Sequence, residues 1–73
     1  MIDLDELYRA VPIGEQNAET ARQIWKRLGL DVFSASGIRP YLKGLAASGR
    51  IVRITNPRPG GGVLYFFYRR PGD

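Results

Sequence analysis

The seven residues "NPRPGGG", Asn56 to Gly62, constrain the fold more than any other stretch. Two prolines stiffen the first half and three glycines free the second, so neither flanking element is expected to continue through it. On one side stands "RIVRIT" and on the other "VLYFFYR". Both runs are rich in β-branched and aromatic residues, the composition of strands. Strand, breaker and strand in direct succession predict a β-hairpin, with strands at about 51–55 and 63–69. The chain before it must supply what the hairpin packs on.

That earlier chain reads as three helices. In "IDLDELYRAV" Asp3 is placed to cap, with Glu6 three residues on, and Leu4, Leu7, Tyr8 and Val11 share one helical face. Pro12 ends this segment, expected over about 4–11, and "PIGEQN" follows as a connector. A second helix is expected over about 18–28. Thr20 and Gln23 fit a capping box, Asn17 is an earlier alternative cap, and Gly29 is the stop. Ala21, Ile24, Trp25 and Leu28 form its buried stripe. A third helix is expected over about 36–48, with Ile38, Leu42 and Leu45 inward and Gly49 closing it. Pro40 places its cap near Ser36, because a proline deep in a helix removes a hydrogen bond and clashes with the preceding turn; a start at Ser34 would imply a kink.

The order helix, helix, helix, hairpin accounts for all 73 residues as a single domain, 1–73. A chain this short buries only about 60% of its unfolded surface, so its core is thin. It has neither Cys nor His, which removes disulfides, His/Cys metal sites and most nucleophile–base arrangements. "GGG" lies inside the hairpin and not between a strand and a helix, so it is no phosphate loop, and Ser34 and Ser36 have no His to activate them. The expectation is a protein that is not an enzyme, has no cofactor and shows no evident small-molecule ligand. No apolar run approaches the ~20 residues that span a bilayer, and the acidic start is not a secretory signal, so the expected location is cytoplasmic, associated with the nucleoid, with no membrane partner.

Charge is divided along the chain. Residues 1–21 carry Arg9 against five acids, a net of −4; residues 22–73 carry ten basic side chains against Asp31 and Asp73, a net of +8. A local excess of this size on a small domain points to a polyanionic partner.

The stretches "TARQIWKRLGL", "GIRPYLKGLAASGRIVRI" and "YFFYR" together resemble the winged helix-turn-helix superfamily of small DNA-binding domains, over about Thr20 to Arg69. The resemblance implies an α+β, mostly α fold: a three-helix winged helix-turn-helix with a C-terminal two-stranded hairpin as the wing. It implies a double-stranded DNA partner, with the third helix in the major groove and the wing along the minor groove, as in a small bacterial or phage-type transcriptional regulator. Two features depart from the common pattern: the turn from Leu30 to Ile38 is long, and Pro40 stands where most members carry a helix former. Prolines in the wing also occur in the Z-DNA-binding branch, but its recognition-helix Asn and Tyr correspond here to Arg39 and Lys43, and no Trp follows Pro59.

The residues themselves suggest the contacts. With Ile38, Leu42 and Leu45 inward, the third helix presents Ser36, Arg39, Lys43 and Ala47 outward. A major groove about 12 Å wide admits such a helix, and Arg and Lys can bond guanine edges or phosphate there. Small Ser36 and Gly37 leave room for a phosphate at its start. Arg58, alone at the wing tip between two prolines, suits a narrow minor groove, and Gly60 and its neighbours allow close approach. Arg22, Lys26, Arg50 and Arg53, with Arg27, Arg69 and Arg70 nearby, read as phosphate contacts that position without reading sequence. The plain alternatives are a solvated helix face and an ordinary hairpin loop.

The aromatic strand adds another use. Val63, Tyr65 and Phe67 fall on one face, and Leu64, Phe66 and Tyr68 on the other. If only the first face packs on the helices, then either the N-terminal helix wraps the second or it serves as an interface for a homodimer or protein partner. An interaction module built on that face is therefore the second functional class, and binding of RNA or single strands the third.

Overall fold

The computed structural model describes residues 3–29 and 35–72, with side chains from 37 onward in the second span. The fold is α+β, three helices followed by an antiparallel hairpin, in a winged-helix layout. The helices are α1 (Leu4–Ala10), α2 (Ala21–Leu28) and α3 (Ala35–Ala47), and the strands β1 (Val52–Pro57) and β2 (Val63–Tyr68). No helix among the described residues is long and apolar enough to cross a membrane.

Local chemistry sets most boundaries. The Asp3 carboxylate accepts from the Asp5 N–H at 2.9 Å and caps α1. Thr20 and Gln23 form the reciprocal capping box of α2, which ends at left-handed Gly29. α3 ends in a Schellman motif: the Arg50 N–H donates to the Leu45 carbonyl at 3.0 Å and the Gly49 N–H to Ala46 at 3.1 Å. Pro40 lies inside α3, in its second turn, exposed to solvent. The helix start at Ala35 precedes the expected cap at Ser36; the Ser34 alternative falls outside the described residues.

Two expectations about boundaries are corrected. Residues 18–20 are not helical, because the Glu19 backbone bonds Phe67 twice, its N–H donating to the Phe67 carbonyl at 3.1 Å and its carbonyl accepting from the Phe67 N–H at 2.7 Å. Nor does the breaker loop begin at Asn56: β1 runs on through Asn56 and Pro57, paired with Leu64 and Val63. Proline is tolerated there because β1 is an edge strand and Pro57 is its last residue.

The connector between α1 and α2 is the less expected part. Ile13 bridges Arg69 in parallel sense and Glu19 bridges Phe67 in antiparallel sense, so residues 12–19 run along β2 and turn back on themselves. The reversal uses a 3-10 turn, Glu15–Asn17, entered at Gly14 with φ 91°. A side chain there would be strained by the left-handed backbone and would press its Cβ within 2.8 Å of Gln16 Oε1.

The core lies where the helices meet the base of the hairpin. Leu7 and Val11 from the α1 region, Ala21 and Ile24 from α2, and Ile38, Leu42 and Leu45 from α3 are buried together with Ile51 and Phe67. Trp25 packs against this cluster from its edge. Leu4 does not join: it stays 45% exposed, lining a shallow hollow beside Pro40, Tyr41 and Gly44 of α3. α1 packs on α2 and α3 rather than wrapping the strands.

Candidate nucleic-acid interface

Antiparallel pairing sets the two faces of the wing. Arg53 stands opposite Phe67, Thr55 opposite Tyr65 and Pro57 opposite Val63 on the face turned to the helices. Burial falls along that face from Phe67, 1% exposed, through half-buried Tyr65 to Val63, 46% exposed. The hairpin leaves the core as it goes, and its outer third stands free. Gly60, Gly61 and Gly62 all have positive φ at the tip, a run that side-chain-bearing residues would resist. Arg58 closes that loop, its N–H donating to the Gly62 carbonyl at 3.1 Å.

Between the free part of the wing and α3 lies a hollow of about 370 Å³. Arg22 of α2, Arg39 and Lys43 of α3 and Arg58 of the wing all line it, with Thr20, Val63, Leu64 and Tyr65. Arg39 and Lys43 reach it because they are four residues apart on the side of α3 opposite to the buried stripe. Among the described residues none of these four cations has an ion-pair partner, since the ion pairs found there are Arg27–Glu19 and Arg50–Asp5. A second hollow, about 510 Å³, lies beyond Lys43 and is lined by Ala46, Ala47, Val52, Arg53 and Arg70. Lys43 lines both hollows, and the Tyr65 ring of the first holds the Lys43 ammonium at 5.7 Å and the Arg53 guanidinium at 4.9 Å from its centroid.

Of the residues expected to touch nucleic acid, Arg22, Arg39, Lys43 and Arg58 therefore converge, and Arg53 joins them across Tyr65. Gly60 is exposed at the tip beside them. Lys26 is exposed one turn along α2 and does not line the hollow. Ser36 contributes backbone to α3, and its side chain falls outside the described ones.

Arg50 lies apart. Its guanidinium stacks on Tyr8 at 4.6 Å, pairs with Asp5 at 3.5 Å, and lines the hollow near Leu4. Three further cations are tied up within the fold. Arg69 donates to the Val11 and Arg9 carbonyls at 2.8 and 3.2 Å and stacks on Tyr8, so it caps the C-terminal end of α1. Arg70 donates to Gly49 at 2.7 Å while still lining the second hollow, and Arg27 bonds Glu19.

The outer wing face carries the apolar pairs Val52 with Tyr68 and Ile54 with Phe66, and Leu64 opposite Asn56. Leu64 is 37% exposed and Phe66 and Tyr68 are half-buried. The sequence alone did not single out Tyr65 and Val63 as lining of the first hollow. The strand alternation that groups Tyr65 with Arg53 was the available signal. Among the described residues no three His, Cys, Asp or Glu side chains come together as metal ligands. No known family model, curated protein or solved structure matches the chain.

Proposed function

We propose that this chain is a double-stranded DNA-binding protein of the winged helix-turn-helix kind, acting as a small transcriptional regulator. α3 lies in the major groove and the wing follows the adjacent minor groove. The convergence of Arg22, Arg39, Lys43 and Arg58, from three separate elements and without acidic partners among the described residues, carries this reading. Phosphate contacts supply most of the affinity of such proteins and fix the register, while base edges are read by a few side chains. In this reading Arg39 and Lys43 read base edges. Arg22 and Arg53 contact phosphate, and Arg58 contacts phosphate or enters the minor groove. Asp5 of α1 pairs with Arg50, which lines the Pro40–Gly44–Ser48 side of α3 with Leu4, apart from these cations.

The test is an NMR titration of labelled protein with random-sequence duplex at low and moderate salt. Salt-sensitive shifts at Arg39, Lys43 and Arg58 to Gly62 are expected. An intact spectrum with no shifts there overturns the reading. It would turn attention to a protein partner on the outer wing face, where the Ile54–Phe66 and Val52–Tyr68 pairs lie outside the core cluster.

A further inference from the structure

The wing has one open edge. β1 pairs with β2 alone, whereas the other side of β2, and of Arg69 beyond it, is held by Glu19 and Ile13 of the connector. The Glu19 bridge also fixes which backbone groups of β1 are left over. The N–H and the carbonyl of Phe67 are both turned to Glu19, so neither reaches Arg53 across the hairpin. In an antiparallel ladder Arg53 and Phe67 are therefore a pair without hydrogen bonds, and the N–H and carbonyl of Arg53 point to the far edge. The same holds two residues on at Thr55 and, for the carbonyl alone, at Pro57. Among the described residues no hydrogen bond reaches these groups, and Arg53 and Thr55 are exposed. An open row of this kind is a template for another strand.

We infer that the strand is β1 of a second copy of this chain, paired antiparallel about a two-fold axis at Ile54. The residues of β1 select both the partner and the register. An axis at Arg53 sets two arginines directly opposite, which like charges disfavour. An axis at Thr55 sets Arg53 against Pro57, which has no N–H to give. With the axis at Ile54, Arg53 faces Thr55 of the second copy. The Arg53 N–H donates to that Thr55 carbonyl, the Thr55 N–H donates to the Arg53 carbonyl, and the symmetry repeats both. Ile54, half-buried in the single chain, meets its own counterpart at the close, non-hydrogen-bonded position and gains cover. Pro57 falls opposite Ile51, which lies outside β1, and the pairing stops there. A foreign strand would meet the same open edge, but the match of Arg53 to Thr55 and of Ile54 to itself belongs to a second copy. The axis is perpendicular to the sheet, so both sets of helices lie on one side of a continuous sheet of order β2-β1-β1-β2. The contact is one strand pair, which places it among small and weak interfaces. It does not depend on DNA being the partner.

The experiment follows sedimentation and amide hydrogen exchange of the whole chain without DNA, at moderate salt so that the net charge of +4 on each copy is screened. Between about 10 µM and about 1 mM, a dissociation constant near ~100 µM slows exchange at the Arg53 and Thr55 amides about fivefold. The Ile54 and Asn56 amides, already turned to β2, should be protected even in dilute solution. Thr55→Pro removes an N–H that the hairpin does not use. It should keep the fold, as protection at the Glu19 and Phe67 amides reports, and lose the dimer. A monomeric mass throughout, with Arg53 and Thr55 amides fast at every concentration, overturns the inference. So does a dimer that leaves those two amides unprotected, or one that Thr55→Pro forms as readily as wild type. The wild-type amides decide the question even if the variant does not fold.

Discussion

The guanidinium of Arg53 lies 4.9 Å from the centroid of the Tyr65 ring. The two residues stand on the same face of the hairpin, diagonal to each other and two register positions apart on opposite strands, because Arg53 pairs with Phe67 and Tyr65 with Thr55. Lys43 of α3 approaches the same ring at 5.7 Å, so one side chain of the wing steadies a cation of its neighbouring strand and another of the helix. Cation–π contacts at exposed sites are worth about 0.5–1 kcal/mol each. If the proposed DNA-binding function holds, their larger effect is to hold two long flexible side chains toward one surface before DNA arrives, reducing the ordering cost of binding.

Tyr65→Leu should therefore weaken DNA binding by about three- to tenfold although no charge is lost. Tyr65→Phe keeps the ring face and should bind as wild type does. Fluorescence anisotropy of the three proteins against one duplex checks this. Equal affinities for Leu and Phe would show that the ring does not position either cation.

The arginines should separate by salt dependence. If about six phosphates are neutralised, log affinity falls against log salt with a slope of roughly −5. Arg58→Ala should reduce that slope by about one. Arg50→Ala should leave it unchanged, because Arg50 already pairs with Asp5 and stacks on Tyr8, away from the converging cations. Arg39→Ala should lower discrimination between specific and random duplex, whereas Arg53→Ala should weaken both alike. Equal losses on both duplexes with Arg39→Ala would remove it as a base reader.

What the sequence revealed follows the range of the interactions. Asp3, the Thr20–Gln23 pair, Gly29 and Gly49 act within one turn of themselves, and each terminates a helix as its local chemistry predicts. The stripe of Ile38, Leu42 and Leu45 also emerges from periodicity alone, and strand alternation separates buried Phe67 from Phe66. The Glu19–Phe67 bridge was not legible because it joins main-chain groups, which leave no side-chain pattern. The ties of Arg50 and Arg69 to Asp5, Tyr8 and the α1 carbonyls were not legible because those partners lie far away in the chain. The outward pair Arg39 and Lys43 was visible as a helix face. Its meeting with Arg22, Arg58 and the exposed Val63 and Leu64 depends on how the wing leans over α3, which only tertiary packing sets.

Arg69 should matter for stability rather than binding. It satisfies two carbonyls at the end of α1 and packs on Tyr8. Hydrogen bonds from a charged donor contribute about 1.5–3 kcal/mol, less where solvent reaches them. Arg69→Met should lower stability by about 1–2 kcal/mol, which in a domain of this size is a fall of very roughly 4–16 °C in Tm. Calorimetry on the free protein checks it, with the salt slope of DNA binding as the control that should not move.

Two glycines should respond to the same substitution in opposite directions. Gly44 lies within α3, exposed, and an added Cβ would meet nothing within 4 Å. Gly44→Ala should stabilise by about 0.5–1 kcal/mol, since glycine is the poorer helix former and its unfolded chain is the more disordered. Gly14 is buried and has φ 91°, and a Cβ added there would lie 2.8 Å from Gln16 Oε1. Gly14→Ala should destabilise by about 1–2 kcal/mol from the positive-φ backbone, while the exposed end of the Gln16 side chain can swing aside at little cost. Because Gly14 donates to the Arg69 carbonyl at 2.9 Å, the loss should extend to the connector's pairing with β2. Hydrogen exchange should then speed up first at the Glu19 and Phe67 amides. Unchanged protection at those two amides in Gly14→Ala would mean that the connector holds its place on β2 without the reversal at residue 14.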